Sequence, residues 1–201
     1  MEWFDKLRKE ILPAVGFKNI IHQDGLESDD TMAIIVKSYD EPWIMATTDE
    51  DMYQCLDHCD IFKPSKEELY TADNLLKEYG VEPKDWVLVK QISGCKSDTI
   101  PGVVGVAEKT AAKFITGGLT RSGKKYKSIT HEDGVAIRDR NKWLVELPLP
   151  GTQLPDLFEN KFDFKAFLRV CNLYKFDSFL KKEELDKWRL FFEGYNERTP
   201  I

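Results

Sequence analysis

The run Pro42 to Thr47 (PWIMAT) is apolar, six residues long and bounded on both sides by segments of helical pattern. Six residues suit a buried strand and fall short of a helix. Upstream, Lys18 to His22 carries the apolar pair Ile20 and Ile21 and reads as a second short strand. Ser28-Asp29-Asp30 then offers an N-cap cluster for a helix through Met32, Ile35 and Val36. Glu50 to Leu56 is again helical in pattern. Strands that alternate with helices are joined by crossovers, so the expected core is α/β, a partial parallel sheet with the strands at 18–22 and 42–47 as neighbours. Open sheets of this kind place their sites at the C-terminal ends of the strands.

Outside that core the pattern is mostly helical. Trp3, Phe4, Leu7 and Ile11 recur at helical spacing, and Pro13 is expected to end that helix. TADNLLKEYG predicts a helix stopped by Gly80, and Pro83 starts another carrying Trp86, Val89 and Ile92. IPGVVG (100–105) predicts a tight turn between short helical pieces, and 117–127 an exposed basic loop. After a helix and a proline-bounded extended piece (129–152), Phe162 to Leu190 predicts two packed helices whose aromatic residues form core. The chain has 201 residues, 42% of them hydrophobic, which supports a core without crosslinks, so the four cysteines are expected as reduced thiols. No apolar stretch approaches the roughly 20 residues of a membrane span. The charged N-terminus lacks a secretory pattern, and a cytoplasmic location without membrane association is expected.

The net charge of −6 conceals a segregation along the chain. From Asp24 to Asp60 there are eleven acidic residues and one basic residue, Lys37. From Gly94 to Thr130 there are seven basic residues and two acidic ones. Acidic residues beside a basic segment suit divalent ions next to a phosphate backbone, while two ordinary solvated faces remain the alternative. Three carboxylate groups follow predicted strands or turns: Glu27 with Asp29 and Asp30, Asp49 with Glu50 and Asp51, and Asp98. Brought into one cleft they would repel one another unless cations sat among them, and oxygen donors without imidazole favour magnesium or manganese. Asp30 and Glu50 equally suit helix N-caps. Cys55-Leu56-Asp57-His58-Cys59 lacks the second cluster of a zinc site, and the single histidines His22 and His131 read as hydrogen-bonded surface groups and not as a general base.

The stretch SGCKSDTIPGVVGVAEKTA, from Ser93 to Ala111, resembles the helix–three-turn–helix signature of the 5′-nuclease superfamily, which includes flap endonucleases and 5′→3′ exonucleases of bacteria and phages. GLESDD, from Gly25 to Asp30, looks like that family's Gly-x-Glu-Ala-Asp-Asp. ATTDEDMYQCL, from Ala46 to Leu56, looks like its Thr-x-Asp-x-Asp-x-x-Gln-Leu. The resemblance implies an α/β nuclease core with an acidic metal cleft over 1–93, a duplex-binding module and basic loop over 94–128, and a helical segment over 129–201. It also implies metal-dependent phosphodiester hydrolysis on DNA 5′ ends or flaps. Glu27, Asp29 and Asp49 would hold a first magnesium or manganese ion, and Asp49, Asp51 and Asp98 a second, with Asp30 beside them. Glu27, Asp29, Asp49 and Asp51 would be catalytic. Gly102, Gly105, Ala107, Lys109, Thr110, Lys113, Lys124 and Lys125 would grip duplex phosphates, glycines 102 and 105 by letting backbone amides come close. Backbone carbonyls near Ser97, Ile100 and Val103 would hold potassium.

Two residues depart from the family pattern. Cys95 stands where an aspartate is usual, and Ala107 replaces the turn's second glycine. The family's first strand and basic arch are also missing. The chain is therefore expected to be the larger piece of a split or truncated enzyme, completed by an N-terminal partner polypeptide in a bacterial or phage-infected cell. The alternative is a catalytically impaired, structure-selective DNA-binding relative.

Overall fold

The computed structural model describes residues 2–196, except the side chain of Asn196. The chain packs as two compact units, one combining Met1–His22 with Pro155–Ile201 and the other spanning Gln23–Leu154. The functional divisions expected at 93/94 and 128/129 both fall inside the second unit.

In the first unit the N-terminal helix runs on through Glu2–Lys6, a π-helical Leu7–Ile11 and Leu12–Val15. Pro13 does not end it. The wider π turn just ahead relieves the clash that a proline ring makes with the preceding carbonyl in a regular α-helix. The helix stops at Gly16, which is left-handed (φ 112°). Ile11 and Val15 pack with Phe162, Phe167, Val170, Cys171 and Phe192. Those residues come from the helices Phe164–Tyr174 and Lys182–Asn196 and the segment before them. Asp163 caps the first of these by accepting from Lys165 N at 2.8 Å.

The expected strand at 18–22 is absent. Its polar residues turn to side-chain and irregular partners instead: Lys18 N donates to Asn160 Oδ1 (2.8 Å), and Asn19 Nδ2 to the Phe158 carbonyl (2.8 Å).

The second unit holds a three-stranded sheet, β1 (Trp43–Ala46), β2 (Cys59–Lys63) and β3 (Glu68–Tyr70). β1 pairs with β2 in parallel, Met45 opposite Ile61, and β2 with β3 in antiparallel fashion, Ile61 opposite Tyr70. The parallel neighbour of β1 is therefore the strand after it in sequence. Between β1 and β2 lies a 3-10 helix, Glu50–Cys55, and before β1 the helix Ser28–Ser38. The expected helix at 72–79 ends at left-handed Gly80 and begins in a capping box, Thr71 N donating to Asn74 Oδ1 at 2.9 Å. Pro83–Ser93 follows with proline in its first turn.

Trp86, fully buried, joins these parts. Its indole N–H donates to the Glu50 carbonyl at 2.7 Å and its ring lies 5.2 Å from that of Tyr53. Gln54 ties the same 3-10 helix to the end of the helix Glu132–Val145. It donates to the Val145 carbonyl and accepts from Leu147 N, both at 2.9 Å. Within the loop expected at 117–127, residues from Lys124 onward are helical (Lys124–Thr130), held by buried Ile129 and by Tyr126 against Phe114. No helix among the described residues is long and apolar enough to cross a membrane.

Candidate functional site

Three local structures deliver carboxylates to one cleft of about 620 Å³, lined by Glu27, Asp29, Asp30, Asp51 and Asp98. Glu27 and Asp29 sit at the start of the helix Ser28–Ser38, where acidic side chains meet the positive end of the helix dipole. Asp49 and Asp51 follow the C-terminal end of β1 because Asp49 caps the 3-10 helix, its Oδ1 accepting from Asp51 N at 2.8 Å. Asp98 comes from the tight hairpin that joins Gly94–Cys95 to Ile100–Pro101.

Not every predicted acid is free to hold an ion. Asp30 is buried and uses both oxygens: one accepts from Leu149 N at 2.6 Å, the other from Glu27 N at 3.3 Å. It braces the helix start against the 146–149 segment.

Glu27, Asp29 and Asp51 feel the charges of their acidic neighbours. The charge of Asp29 is the largest cause raising the Glu27 carboxyl above its ordinary range, with burial, Asp98, Asp30 and Asp49 adding to it. Burial comes first in raising Asp29, with Asp49 and Asp30 contributing. Asp51 is also raised, by burial first and by Asp49, against the opposing pull of Lys90. Asp49 thus acts on Glu27, Asp29 and Asp51 alike.

Sequence motifs give no hint of Lys90. It lies one helical turn after Trp86 on the buried side of Pro83–Ser93, a spacing that could have revealed it. Its ammonium stands 2.9 Å from Asp51 Oδ1 and 3.9 Å from Glu108 Oε1. Burial works against its charge, yet the Asp51 pairing prevails and its pKa is raised. The buried Asp51 Oδ1 is therefore held by the Lys90 ammonium.

The ligand atoms of Asp51, Cys95 and Asp98 lie within 4.8 Å of one another. The Cys95 thiol donates to Asp98 Oδ2 at 2.7 Å and lies 2.9 Å from Ser97 Oγ. Burial, then the bond to Asp98, pushes that thiol up, so it is a neutral donor. Mutually repelling carboxylates in one cleft, with ligand atoms of Asp51 and Asp98 close together, are a donor set that fits a hard divalent ion.

The basic module adjoins this cleft in the same unit. Gly102 is pressed against the Ser93 carbonyl, which a Cβ would overlap, so it is glycine because the turn packs on the preceding helix end. Gly105 is exposed and left-handed (φ 68°), and its carbonyl accepts from the Lys125 ammonium. Ala107 is the N-cap of the helix Glu108–Ile115 without a side-chain cap bond, on which Lys109 and Lys113 are exposed and Thr110 half-buried. Lys124 is exposed, as is Ser97; Ile100 is half-buried and Val103 buried.

Asn141, fully buried, donates to the carbonyls of Gln91 (3.0 Å) and Pro101 (3.1 Å), and Arg140 also donates to Pro101 at 2.6 Å. The helix Glu132–Val145 is thereby fixed to the hairpin that carries Asp98.

No protein-family model matches the chain. DNA polymerase I of Mycobacterium bovis is 30% identical over 168 residues, covering 75% of this chain and 18% of that protein. The chain spans a quarter or less of the length of the DNA polymerase I relatives it matches. Among solved structures, a mutant of the bacteriophage T5 5′-exonuclease aligns with a TM-score of 0.54 at 20% identity, over 95% of this chain and 80% of the other. The T5 D15 flap endonuclease, in a pseudo-enzyme-product complex with DNA and metal ions, aligns with a TM-score of 0.55 at 20% identity, over 89% and 62%. By homology to the 5′-exonuclease domain of DNA polymerase I, and with the fold of T5 5′-exonuclease, the chain belongs to the 5′-nuclease superfamily.

Proposed function

We propose that this chain carries the metal cleft and duplex-gripping module of a 5′ nuclease that hydrolyses phosphodiesters at DNA 5′ ends or flaps. The observation that carries the proposal is the convergence of Glu27, Asp29, Asp51 and Asp98 on one cleft, under the charge of Asp49. Magnesium or manganese there would activate water and stabilise the leaving oxygen. Glu27, Asp29 and Asp49 would hold one ion and Asp51 and Asp98 the other, and Lys90 would keep Asp51 ionised and oriented. Lys109, Lys113 and Lys124 would contact duplex phosphates without reading bases. Lys125 and Arg140 already supply cations to carbonyls of the turn, at Gly105 and Pro101, and a potassium ion near Ser97, Ile100 and Val103 would join them. An N-terminal polypeptide completing the nuclease core belongs to the same proposal and is the added component of its test.

The test is cleavage of a 5′-flap substrate with magnesium or manganese, with and without a candidate N-terminal fragment. Metal-dependent release of the flap in the presence of the fragment is expected. Absence of cleavage under every combination would overturn the enzymatic reading.

A second reading, a DNA-binding relative impaired in catalysis, is favoured by one feature: a thiol bonded to Asp98 and an ammonium paired with Asp51 occupy atoms a metal would use. Cys95→Asp separates the two. It adds a hard oxygen ligand and should raise magnesium-supported cleavage if the chain is an enzyme. An unchanged, absent activity supports the binder.

A further inference from the structure

Cys95 brings a sulfur atom beside Asp51 and Asp98, two of the acids that line the cleft. It is buried and fixed in place: its backbone pairs with Ile100 across the hairpin, and its thiol lies 2.7 Å from Asp98 Oδ2 and 2.9 Å from Ser97 Oγ. One ligand atom each from Asp51, Cys95 and Asp98 falls within 4.8 Å of the other two. Three donors so spaced suit a four-coordinate ion with one position left open. With sulfur about 2.3 Å and oxygen about 2.1 Å from such an ion, tetrahedral angles set the two donors roughly 3.6 Å apart. The present contact of 2.7 Å, a hydrogen bond, would open by about 0.9 Å as the proton between sulfur and Asp98 leaves to solvent and a metal–sulfur bond takes its place. Magnesium gains little from this set, because it demands oxygen donors in a near-ideal octahedron. A thiolate favours zinc and cobalt instead. Glu27 and Asp29, in the same cleft, offer oxygen alone.

We infer that Cys95 is a metal ligand, and that with Asp51 and Asp98 it forms a position selective for zinc over magnesium, next to an all-oxygen position at Glu27 and Asp29 that keeps magnesium or manganese. This rests on the reading of the cleft as a metal centre. It makes that centre one of two unlike ions.

The experiment titrates the full chain, stripped of metal by a chelator, with cobalt, zinc, magnesium and manganese. Cobalt should raise a sulfur-to-cobalt charge-transfer band in the near ultraviolet, which zinc displaces at equal concentration and magnesium does not. Cys95→Ser should remove the band and weaken zinc binding by about 10–100-fold, at least the loss that follows when only an outer-sphere partner of a metal site is disturbed. It should leave manganese binding at Glu27 and Asp29 in place. Cys95→Asp should remove the band and shift the preference from zinc towards magnesium. Cadmium-113 NMR of the wild-type chain needs no variant, so it decides the matter if folding suffers; the resonance should be shifted downfield as a sulfur ligand requires. A band that persists in Cys95→Ser, an unchanged zinc affinity in that variant, or a cadmium resonance at an all-oxygen position would overturn the assignment of Cys95 and leave the metal cleft intact. Failure of every divalent ion to bind would overturn both.

Discussion

Replacing Lys90 with Met removes the positive half of a buried ion pair while keeping the bulk of its stem. The Lys90 and Asp51 side chains retain only 5% and 10% of their exposure, and their charged atoms are 2.9 Å apart. At an effective dielectric constant of about 20, charges at that distance attract by roughly 6 kcal/mol before desolvation is subtracted. Single removals from such pairs typically cost about 3–5 kcal/mol, because the remaining charge is left buried without compensation. The expected loss for Lys90→Met is therefore about 3–5 kcal/mol in urea unfolding at pH 7, a large share of the roughly 5–15 kcal/mol that stabilises a domain.

Two controls define the cause. Lys90→Met with Asp51→Leu removes both charges and should recover most of the loss. Manganese should stabilise the single variant more than the wild type, since an ion in the cleft would restore positive charge beside Asp51. A cost of about 1 kcal/mol or less, the size of a surface pair, would refute the reasoning, as would a double variant no more stable than Lys90→Met.

Asp49→Asn removes the charge felt by Glu27, Asp29 and Asp51, so in a manganese titration it should weaken binding far more than Asp57→Asn, which lies on an exposed turn; equal effects would sink that assignment. Neutralising Lys109 and Lys113 to Gln should weaken duplex binding for all sequences and flatten the log–log salt dependence by about one unit for each phosphate left without its lysine, and a strong dependence on base sequence would contradict it. Burial pushes the Cys55 thiol up to about 11 and the Cys59 thiol up to about 12. Iodoacetamide at about pH 8 should therefore leave both unlabelled in the native chain and label them after urea unfolding, and native labelling by mass spectrometry would show the packing to be wrong.

The helices with clear punctuation were legible from the residues: 72–79 from Thr71 and Gly80, 83–93 from Pro83, and 108–115 from the turn before it. β2 was not, for a physical reason. Its inward positions are Cys59, Ile61 and Lys63, and a lysine at the third obscures the alternation. Lys63 can face inward because its ammonium sits 3.6 Å from the Tyr70 ring centroid, on a strand whose pairing sequence spacing does not reveal. The strand expected at 18–22 erred in the other direction, since two adjacent isoleucines satisfy a strand pattern without a partner to pair with. At the site, the acidic residues stood out by type, but their division of labour did not. Asp30 became a brace because Leu149, 119 residues away, donates to it. Lys90 acquires meaning only from the packing of its helix against the 3-10 helix that carries Asp51.

The central claim is that the cleft lined by Glu27, Asp29, Asp51 and Asp98, under the charge of Asp49, is a divalent-metal centre. Crystals soaked in manganese and measured at its absorption edge test it most directly. The account predicts anomalous peaks within about 2.5 Å of oxygens from these carboxylates, at least one of them beside Asp51 and Asp98. A map without manganese in the cleft at saturating concentration, or with manganese only on surface acids elsewhere, would contradict it.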